Sequence, residues 1–159
     1  QFILEYCKQI KASGSAGVVM AEPAAGLLSN DDCQAYSSRF VKTIVDAVQD
    51  DNFVVMLHNC GNTGQCTKAM IETGAAALHF GNAIDMAQVL EEVPADIAVS
   101  GNINPVEIMK FGTPQQVEDV AKQLIKLAEK HNNFILSTGC DVPPETPFEN
   151  IESLFNATI

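Results

Sequence analysis

The sequence predicts an α/β protein built on a parallel sheet, and three observations support this fold class. Short, almost continuous apolar runs recur along the chain, and each ends in a polar or glycine-bearing loop. Each run is followed by a stretch in which apolar residues recur every three or four positions, as on one face of a helix. Repeated strand-then-helix units form parallel sheets with right-handed crossovers. Because no linker, repeat or low-complexity tract interrupts the pattern, we expect residues 1–159 to form a single domain.

The predicted strands are the apolar runs, which read as strands covered on both faces. They span residues 17–21, 53–57, 75–80, 97–100 and 134–136. The predicted helices fill the intervals between them. They span residues 2–13, 30–48, 64–73 and 84–90, a stretch that starts at 114, and a last one that begins near 148.

Helix faces and helix starts can be assigned from the same patterns. The first helix is expected to bury a face formed by Ile3, Tyr6, Cys7 and Ile10. The second is expected to bury a stripe formed by Tyr36, Phe40, Ile44 and Val48. Thr113 followed by Pro114 is the clearest helix start, since threonine caps helices and proline fits their first position.

Composition excludes several classes of function. Nine basic against twenty acidic residues give a net charge of −11, which repels phosphate backbones and anionic lipid, so we expect no nucleic-acid partner. No apolar run approaches the ~20 residues of a membrane span. Five cysteines without a signal region indicate a reducing, cytoplasmic location. The sequence opens at Gln1, inside what reads as a helix, so we expect a piece of a longer protein.

Three residues with metal-binding side chains follow two of the predicted strands. His58 and Cys60 lie at the end of the strand 53–57, and Cys140 lies beyond the strand 134–136. Side chains at positions i and i+2 of an extended segment point to the same side, so His58 and Cys60 could reach one ion. A histidine beside a strand is equally consistent with a hydrogen-bonded core residue. Cys140, as a third candidate, favours a metal site.

Other polar residues also lie at predicted strand ends, where parallel α/β folds carry their chemistry. His79 could contact substrate or zinc, or it could make a hydrogen bond within a loop. Asn102 could line a pocket or cap a loop. Asp141 could orient a metal ligand or cap the turn that follows it. Cys66 is interpreted as a small buried residue without chemistry.

Three stretches of the sequence, taken together, resemble the uroporphyrinogen decarboxylase superfamily. They are residues 57–62 (LHNCGN), 101–105 (GNINP) and 136–147 (LSTGCDVPPETP). Within the superfamily they look like its zinc-dependent, corrinoid-linked methyltransferases, typified by methylcobalamin:coenzyme M methyltransferases. The resemblance covers essentially the whole chain, but it corresponds only to the C-terminal part of the family's domain.

The resemblance implies a (β/α)8 TIM barrel, of which this chain would form the C-terminal half. We therefore expect residues 1–159 to be one partial TIM-barrel domain from a longer chain. Half a barrel leaves sheet edges and an apolar inner face uncovered. We expect the N-terminal half of the barrel, or a second copy of the chain, to cover them.

The resemblance also implies an activity and its cofactors. In the methyltransferase branch a His-x-Cys pair and a distant cysteine bind zinc, and these ligands correspond to His58, Cys60 and Cys140. Zinc with three protein ligands keeps one position open and holds a substrate thiol there as thiolate. The implied function is transfer of a methyl group between a corrinoid, either methylcobalamin or a corrinoid protein, and an acceptor such as a thiol.

Two alternative functions remain open, and the sequence differs from the methyltransferases at one position of the implied zinc site. A metal-free decarboxylase of the same superfamily would have a Gly-His-Gly type motif where this chain has residues 138–140. A truncated barrel could also be non-catalytic. The departure concerns the fourth zinc ligand, because an acidic residue seen in some relatives is replaced here by the loop 79–82. Glu22 could supply that ligand, or it could simply cap the loop before Pro23.

Overall fold

The computed structural model describes residues 1–62 and 64–158, and within them five parallel strands form one sheet. The strands follow one another across the sheet in chain order, so each crossover returns to the next position. The strands are β1 (Gly17–Ala21), β2 (Val54–Asn59), β3 (Ala77–Phe80), β4 (Ala98–Ile103) and β5 (Phe134–Thr138). The predicted parallel α/β architecture is confirmed.

Helices alternate with these strands, as the sequence predicts. The helix after β1, called α2 here, consists of the consecutive segments Asn30–Cys33, Gln34–Ser38 and Arg39–Val48. The others are α1 (Phe2–Ala12), α3 (Thr67–Ile71), α4 (Met86–Glu92), α5 (Pro105–Lys110), α6 (Pro114–Leu127) and α7 (Phe148–Asn156). The short helix α5 was not predicted. Thr113 caps α6 as predicted, and its side chain accepts a hydrogen bond from the Gln116 backbone N–H.

The hydrophobic core lies between the sheet and the helices that cover its outer face. Strand residues such as Val55, Leu78 and Val99 are fully buried in this core. The residues that alternate with them, such as Met56 and His79, face a cavity on the inner side of the sheet. No helix in the described part of the chain is long and apolar enough to cross a membrane.

The predicted buried faces of the first two helices are partly wrong. Ile3, Tyr6, Tyr36 and Phe40 are all more than half exposed, which is not expected of core residues. The other four predicted residues do contact the core, namely Cys7, Ile10, Ile44 and Val48. They are joined there by Leu4 on α1 and by Val41 and Val45 on α2, which were not predicted. Each helix is apolar over a wide arc, and only contact with the sheet decides which part of that arc is buried.

Three strands extend further than the sequence predicts. The strand β2 continues through Asn59, β4 through Ile103 and β5 through Thr138. Polar residues at the end of β2 remain in register with both neighbouring strands, since His58 pairs with Ala21 and with His79. The sheet therefore carries polar side chains into its C-terminal edge, where the candidate site lies.

Candidate metal centre

The structure brings the three candidate metal ligands together at the C-terminal edge of the sheet. One potential ligand atom from each of His58, Cys60 and Cys140 lies within 4.8 Å of the other two. Among the described residues, these three form the group of side chains that could bind a metal ion. His58 is held on β2, and Cys60 directly follows that strand. Cys140 lies in the loop after β5. Parallel pairing of the strands thus brings residues 80 positions apart in sequence to one point.

The orientation of His58 leaves one ring nitrogen for an ion. Its Nδ1–H donates a hydrogen bond to the backbone oxygen of His79, with 3.2 Å between the two atoms. The Nε2 atom is buried and has no hydrogen-bond partner among the residues that the structure describes. A buried polar atom without a partner costs about 1–3 kcal/mol. A metal ion bound to Nε2 would remove this cost, and the bonded Nδ1–H fixes the required tautomer.

The donor set fits zinc. One imidazole nitrogen and two cysteine sulfurs are typical zinc ligands, and tetrahedral geometry with bonds of about 2.0–2.3 Å puts neighbouring ligand atoms roughly 3.5 Å apart. The three atoms here lie within 4.8 Å of one another, so small side-chain rotations would bring them to bonding distance. Three protein ligands leave one position of a tetrahedral ion for a substrate atom.

The environment of Cys60 keeps its thiol protonated without a metal. Burial raises the pKa of Cys60 above its usual value, and the neighbouring Cys140 thiol raises it further. A thiolate is the form of cysteine that binds metals. A metal ion that binds here must therefore displace a proton from Cys60.

The loop after β3 separates the two cysteine-bearing segments, and glycines make this arrangement possible. A Cβ atom added at Gly81 would lie 2.3 Å from the backbone oxygen of Cys60 and 2.8 Å from its Cα. A Cβ added at Gly139 would lie 2.5 Å from the backbone nitrogen of Asn82. Backbone atoms cannot approach a Cβ so closely, so both positions require glycine. The spacing between Cys60 and Cys140 depends on this close stacking of loops.

Replacing Gly81 with alanine is expected to weaken zinc binding by ~10–100-fold, the range seen when support around metal ligands is lost. The added methyl group would force the loop after β3 away from Cys60. Competition with a chelator of known affinity measures the change. Gly61→Ala is the matched control, since it also lies beside Cys60 but its Cβ would be no closer than 3.4 Å to any neighbouring atom. Equal zinc affinities of the two variants would contradict this role of Gly81.

A cavity of about 710 Å³ opens beside the cluster on the inner side of the sheet. Both cysteines and His58 line it. Its remaining lining is mostly apolar, with a few polar groups near the cysteines. These are His79, Ser100, Ser137, Thr138 and Asp141. Apolar walls with a few convergent polar groups are typical of small-molecule sites.

Two of the other predicted site residues, His79 and Asp141, line this cavity. The His79 Nε2–H donates to the backbone oxygen of Thr138 at 2.7 Å. Burial lowers the pKa of His79, although the bond to Thr138 acts in the opposite direction. The negative charge of Asp141 also acts to raise the pKa of His79. Both residues therefore belong to the surroundings of the cluster rather than to its three ligand atoms.

Asn102 and Glu22 are placed away from the ligand cluster. The Asn102 side chain donates to the backbone oxygens of Gly81 at 3.1 Å and Ile84 at 2.9 Å, so it holds the loop after β3. The Glu22 carboxylate accepts a hydrogen bond from the Ser37 hydroxyl and lines a separate, smaller cavity. Burial raises the pKa of Glu22. Of the two roles considered for Asn102, the structure thus shows the one in which its side chain holds a loop. It does not place Glu22 with the three ligands.

Cys66 has no connection to the cluster, in agreement with the sequence interpretation. It is fully buried, and its thiol contacts the backbone oxygens of Ala25 at 3.5 Å and Leu28 at 3.2 Å. Burial, together with the neighbouring Cys33, raises the pKa of Cys66 to about 11. A thiol in this setting is structural and unreactive.

A model of a known protein family covers the whole chain. The family model described as uroporphyrinogen decarboxylase (URO-D) matches residues 1–159, which is the entire chain. The chain belongs to the URO-D family. The URO-D resemblance inferred from the three sequence stretches is therefore confirmed.

The relatives of this URO-D family chain include two kinds of enzyme, methyltransferases and decarboxylases. A methylcobamide:CoM methyltransferase, MtbA, from Methanosarcina mazei is 28% identical over 155 residues, which cover 96% of this chain and 44% of that protein. A uroporphyrinogen decarboxylase from Synechococcus sp. is 31% identical over 159 residues, which cover 98% of this chain and 44% of that protein. The chain thus spans less than half the length of the curated relatives it matches.

A solved structure supports the fold. A methyltransferase from Methanosarcina mazei superposes with a TM-score of 0.85 at 22% sequence identity, covering 97% of this chain and 44% of that chain. At this identity the likeness establishes the fold alone. The predicted α/β fold, part of a TIM barrel, is confirmed.

Proposed function

We propose that this chain carries the metal-binding half of a zinc-dependent methyltransferase, which moves a methyl group between a corrinoid and an acceptor such as a thiol. The observation that carries this proposal is the grouping of His58, Cys60 and Cys140, in which the buried His58 Nε2 has no partner among the described residues. The methylcobamide:CoM methyltransferase relatives, at 28% and 27% identity, supply the corrinoid and the methyl group in the proposal.

Each of the three residues has a defined task in this proposal. His58 would offer Nε2, because its Nδ1–H is held by the His79 backbone oxygen. Cys60 and Cys140 would offer thiolates, and the resulting two negative charges suit a divalent cation. Zinc bound by them would supply a Lewis acid that keeps an acceptor thiol deprotonated near neutral pH. In the proposed transfer the acceptor sulfur would form the new bond to the methyl carbon, and the electron pair of the broken cobalt–carbon bond would remain on the corrinoid.

The cavity beside the cluster would provide part of the space in which the two substrates meet. Its apolar lining, once completed, would exclude water from the sulfur and the methyl carbon. The lining is incomplete on one side, since Val19 is 62% exposed and Ile135 is 49% exposed on the inner face of the sheet. Further strands of a barrel, or a second copy of the chain, would cover this face, and a corrinoid protein or free methylcobalamin would approach the C-terminal edge.

A metal-free decarboxylase is the second candidate, and the 31% identity to the Synechococcus decarboxylase favours it. In that case the cluster would have no bound zinc during turnover. Against it stands the grouping of His58, Cys60 and Cys140, a set of metal ligands that a metal-free enzyme does not need. Turnover of uroporphyrinogen by metal-depleted protein, at the rate of zinc-loaded protein, would establish the decarboxylase.

Zinc analysis of the full chain, purified without a histidine tag, combined with a methyl-transfer assay tests the proposal. We expect one zinc per cluster and transfer of the methyl group from methylcobalamin to a thiol, followed by the absorbance change of the corrinoid. Removing zinc with a chelator should abolish transfer, and restoring zinc should recover it. Transfer that is unaffected by zinc removal would refute the proposal.

Proton release should accompany zinc binding and give it a defined pH dependence. Because burial raises the pKa of Cys60, its thiol is protonated at neutral pH and must lose that proton to the solvent. Zinc affinity should therefore fall as the pH is lowered and rise as the pH approaches the pKa of the thiol. A pH indicator in weakly buffered solution measures the protons released per zinc. Zinc affinity that is independent of pH would contradict binding through Cys60.

A further inference from the structure

His79 makes a link between two strands that are not neighbours in the sheet. It lies on β3, and its Nε2–H donates to the backbone oxygen of Thr138 on β5, with 2.7 Å between the two atoms. The strand β4 lies between β3 and β5, so the imidazole reaches past it on the inner face. The side chain thus adds a direct link between β3 and β5 to the ladder hydrogen bonds that each of these strands makes with β4.

The residue that His79 holds is connected directly to the Cys140 backbone. The Thr138 hydroxyl donates to the backbone oxygen of Cys140 at 2.8 Å. The segment is also held from β4, because the Gly139 N–H donates to the backbone oxygen of Ile103 at 2.7 Å. One path of two successive hydrogen bonds therefore runs from the His79 ring through Thr138 to Cys140.

The same residue holds the opposite side of the cluster. The backbone oxygen of His79 accepts the His58 Nδ1–H bond, and the two imidazole rings lie 4.5 Å apart at an angle of 38°. His79 thus touches His58 with its backbone and ring, and it reaches the Cys140 segment with its Nε2 atom. His79 therefore makes hydrogen bonds to both sides of the cluster.

We propose that His79 is a positioning residue, which sets the distance between the Cys140 segment and His58 and so assembles the metal site. This inference rests on the proposed zinc function. The bond of Nε2–H to Thr138 uses that nitrogen, so His79 holds ligands and leaves the fourth position of the ion to substrate. A residue of this kind acts on the metal through other residues and does not touch it.

Paired substitutions at His79 test the inference by zinc affinity. His79→Leu fills a similar volume but donates no hydrogen bond. Zinc affinity should fall by ~10–100-fold, as it does when other residues that orient metal ligands are replaced. His79→Gln carries an amide N–H that can reach the same backbone oxygen, and it should bind zinc nearly as tightly as the parent. Chelator competition with the full chain provides the affinities. Equal zinc binding by the Leu variant and the parent would overturn the inference.

Cobalt(II) substitution supplies a readout that a loss of general stability would not move. Displacement of Cys140 should reduce the thiolate-to-cobalt charge-transfer absorption of the Leu variant toward that of a site with one thiolate, while the Gln variant keeps the full intensity. Full intensity in both variants, or an equal loss in both, would show that the hydrogen bond does not position Cys140.

Thr138→Val keeps the inference testable if the Leu variant does not fold. Valine matches threonine in shape, leaves the backbone oxygen that His79 contacts and removes the bond to Cys140. We expect lower zinc affinity and a weaker thiolate absorption, and unchanged values would overturn the inference. A parent protein that binds no zinc would refute the proposed function, whereas a parent and a Leu variant that bind zinc equally would refute only the role of His79.

Discussion

Replacing Cys140 with alanine is expected to reduce zinc affinity strongly, because a direct ligand is lost. The reduction should exceed the ~10–100-fold that is typical when a residue hydrogen-bonded to a metal ligand is removed. Methyl transfer to a thiol should fall to the level of zinc-depleted protein. The remaining pair, His58 and Cys60, would leave the ion with two protein ligands, fewer than zinc has in catalytic sites. Zinc content after dialysis against a chelator and the transfer rate are the measurements.

Cys33→Ala is the matched control, since it makes the same chemical change away from the cluster. Cys33 is buried beside Cys66, and its sulfur lies 3.8 Å from the Ser38 hydroxyl. This variant should retain the zinc affinity and transfer rate of the parent. If both alanine variants bind zinc as the parent does, Cys140 is not a ligand.

Replacing Phe80 with alanine is expected to lower the free energy of unfolding by about 3–5 kcal/mol. The side chain is fully buried in the core behind the sheet, directly before the loop that separates the cysteines. Removing it leaves a cavity that close-packed neighbours fill only partly. The loss is a large part of the 5–15 kcal/mol that is typical of a folded domain. Denaturant unfolding followed by circular dichroism measures it.

Phe148→Ala provides the comparison for this experiment. Phe148 is 80% exposed at the start of α7, so the same truncation removes little buried surface. We expect its effect to remain within about 0.5 kcal/mol, as for other surface substitutions. A loss in Phe148→Ala as large as that in Phe80→Ala would show that the buried core assigned to this sheet is wrong.

The strands could be predicted from the sequence because burial on both faces imposes an uninterrupted apolar run. All five predicted strands overlap the observed ones, and their parallel order follows from the helices between them. Strand ends were predicted less well. His58 and Asn102 are polar, yet they belong to β2 and β4 because backbone pairing continues through them. Hydropathy does not report on backbone pairing.

The candidate site was partly predictable for the same kind of reason. His58 and Cys60 are two positions apart, so their proximity is a local property of an extended chain. Cys140 was a third candidate because it follows another predicted strand, and the family resemblance then implied that it shares a site with the pair. Sequence spacing alone does not show which strand ends meet. The roles of Gly81 and Thr138 could not be predicted. Glycine has no side chain that signals chemistry, and a backbone oxygen that receives a bond from a distant strand leaves no mark in the sequence.

The metal ligands themselves are tested most directly by X-ray absorption at the zinc edge. For the zinc-loaded full chain we predict two sulfur ligands at about 2.3 Å and one nitrogen ligand at about 2.0–2.1 Å from the protein. Cys140→Ala should retain only one of the two sulfur ligands. A spectrum with nitrogen and oxygen ligands alone, or a sulfur count that is the same in the parent and Cys140→Ala, would contradict a zinc site formed by His58, Cys60 and Cys140.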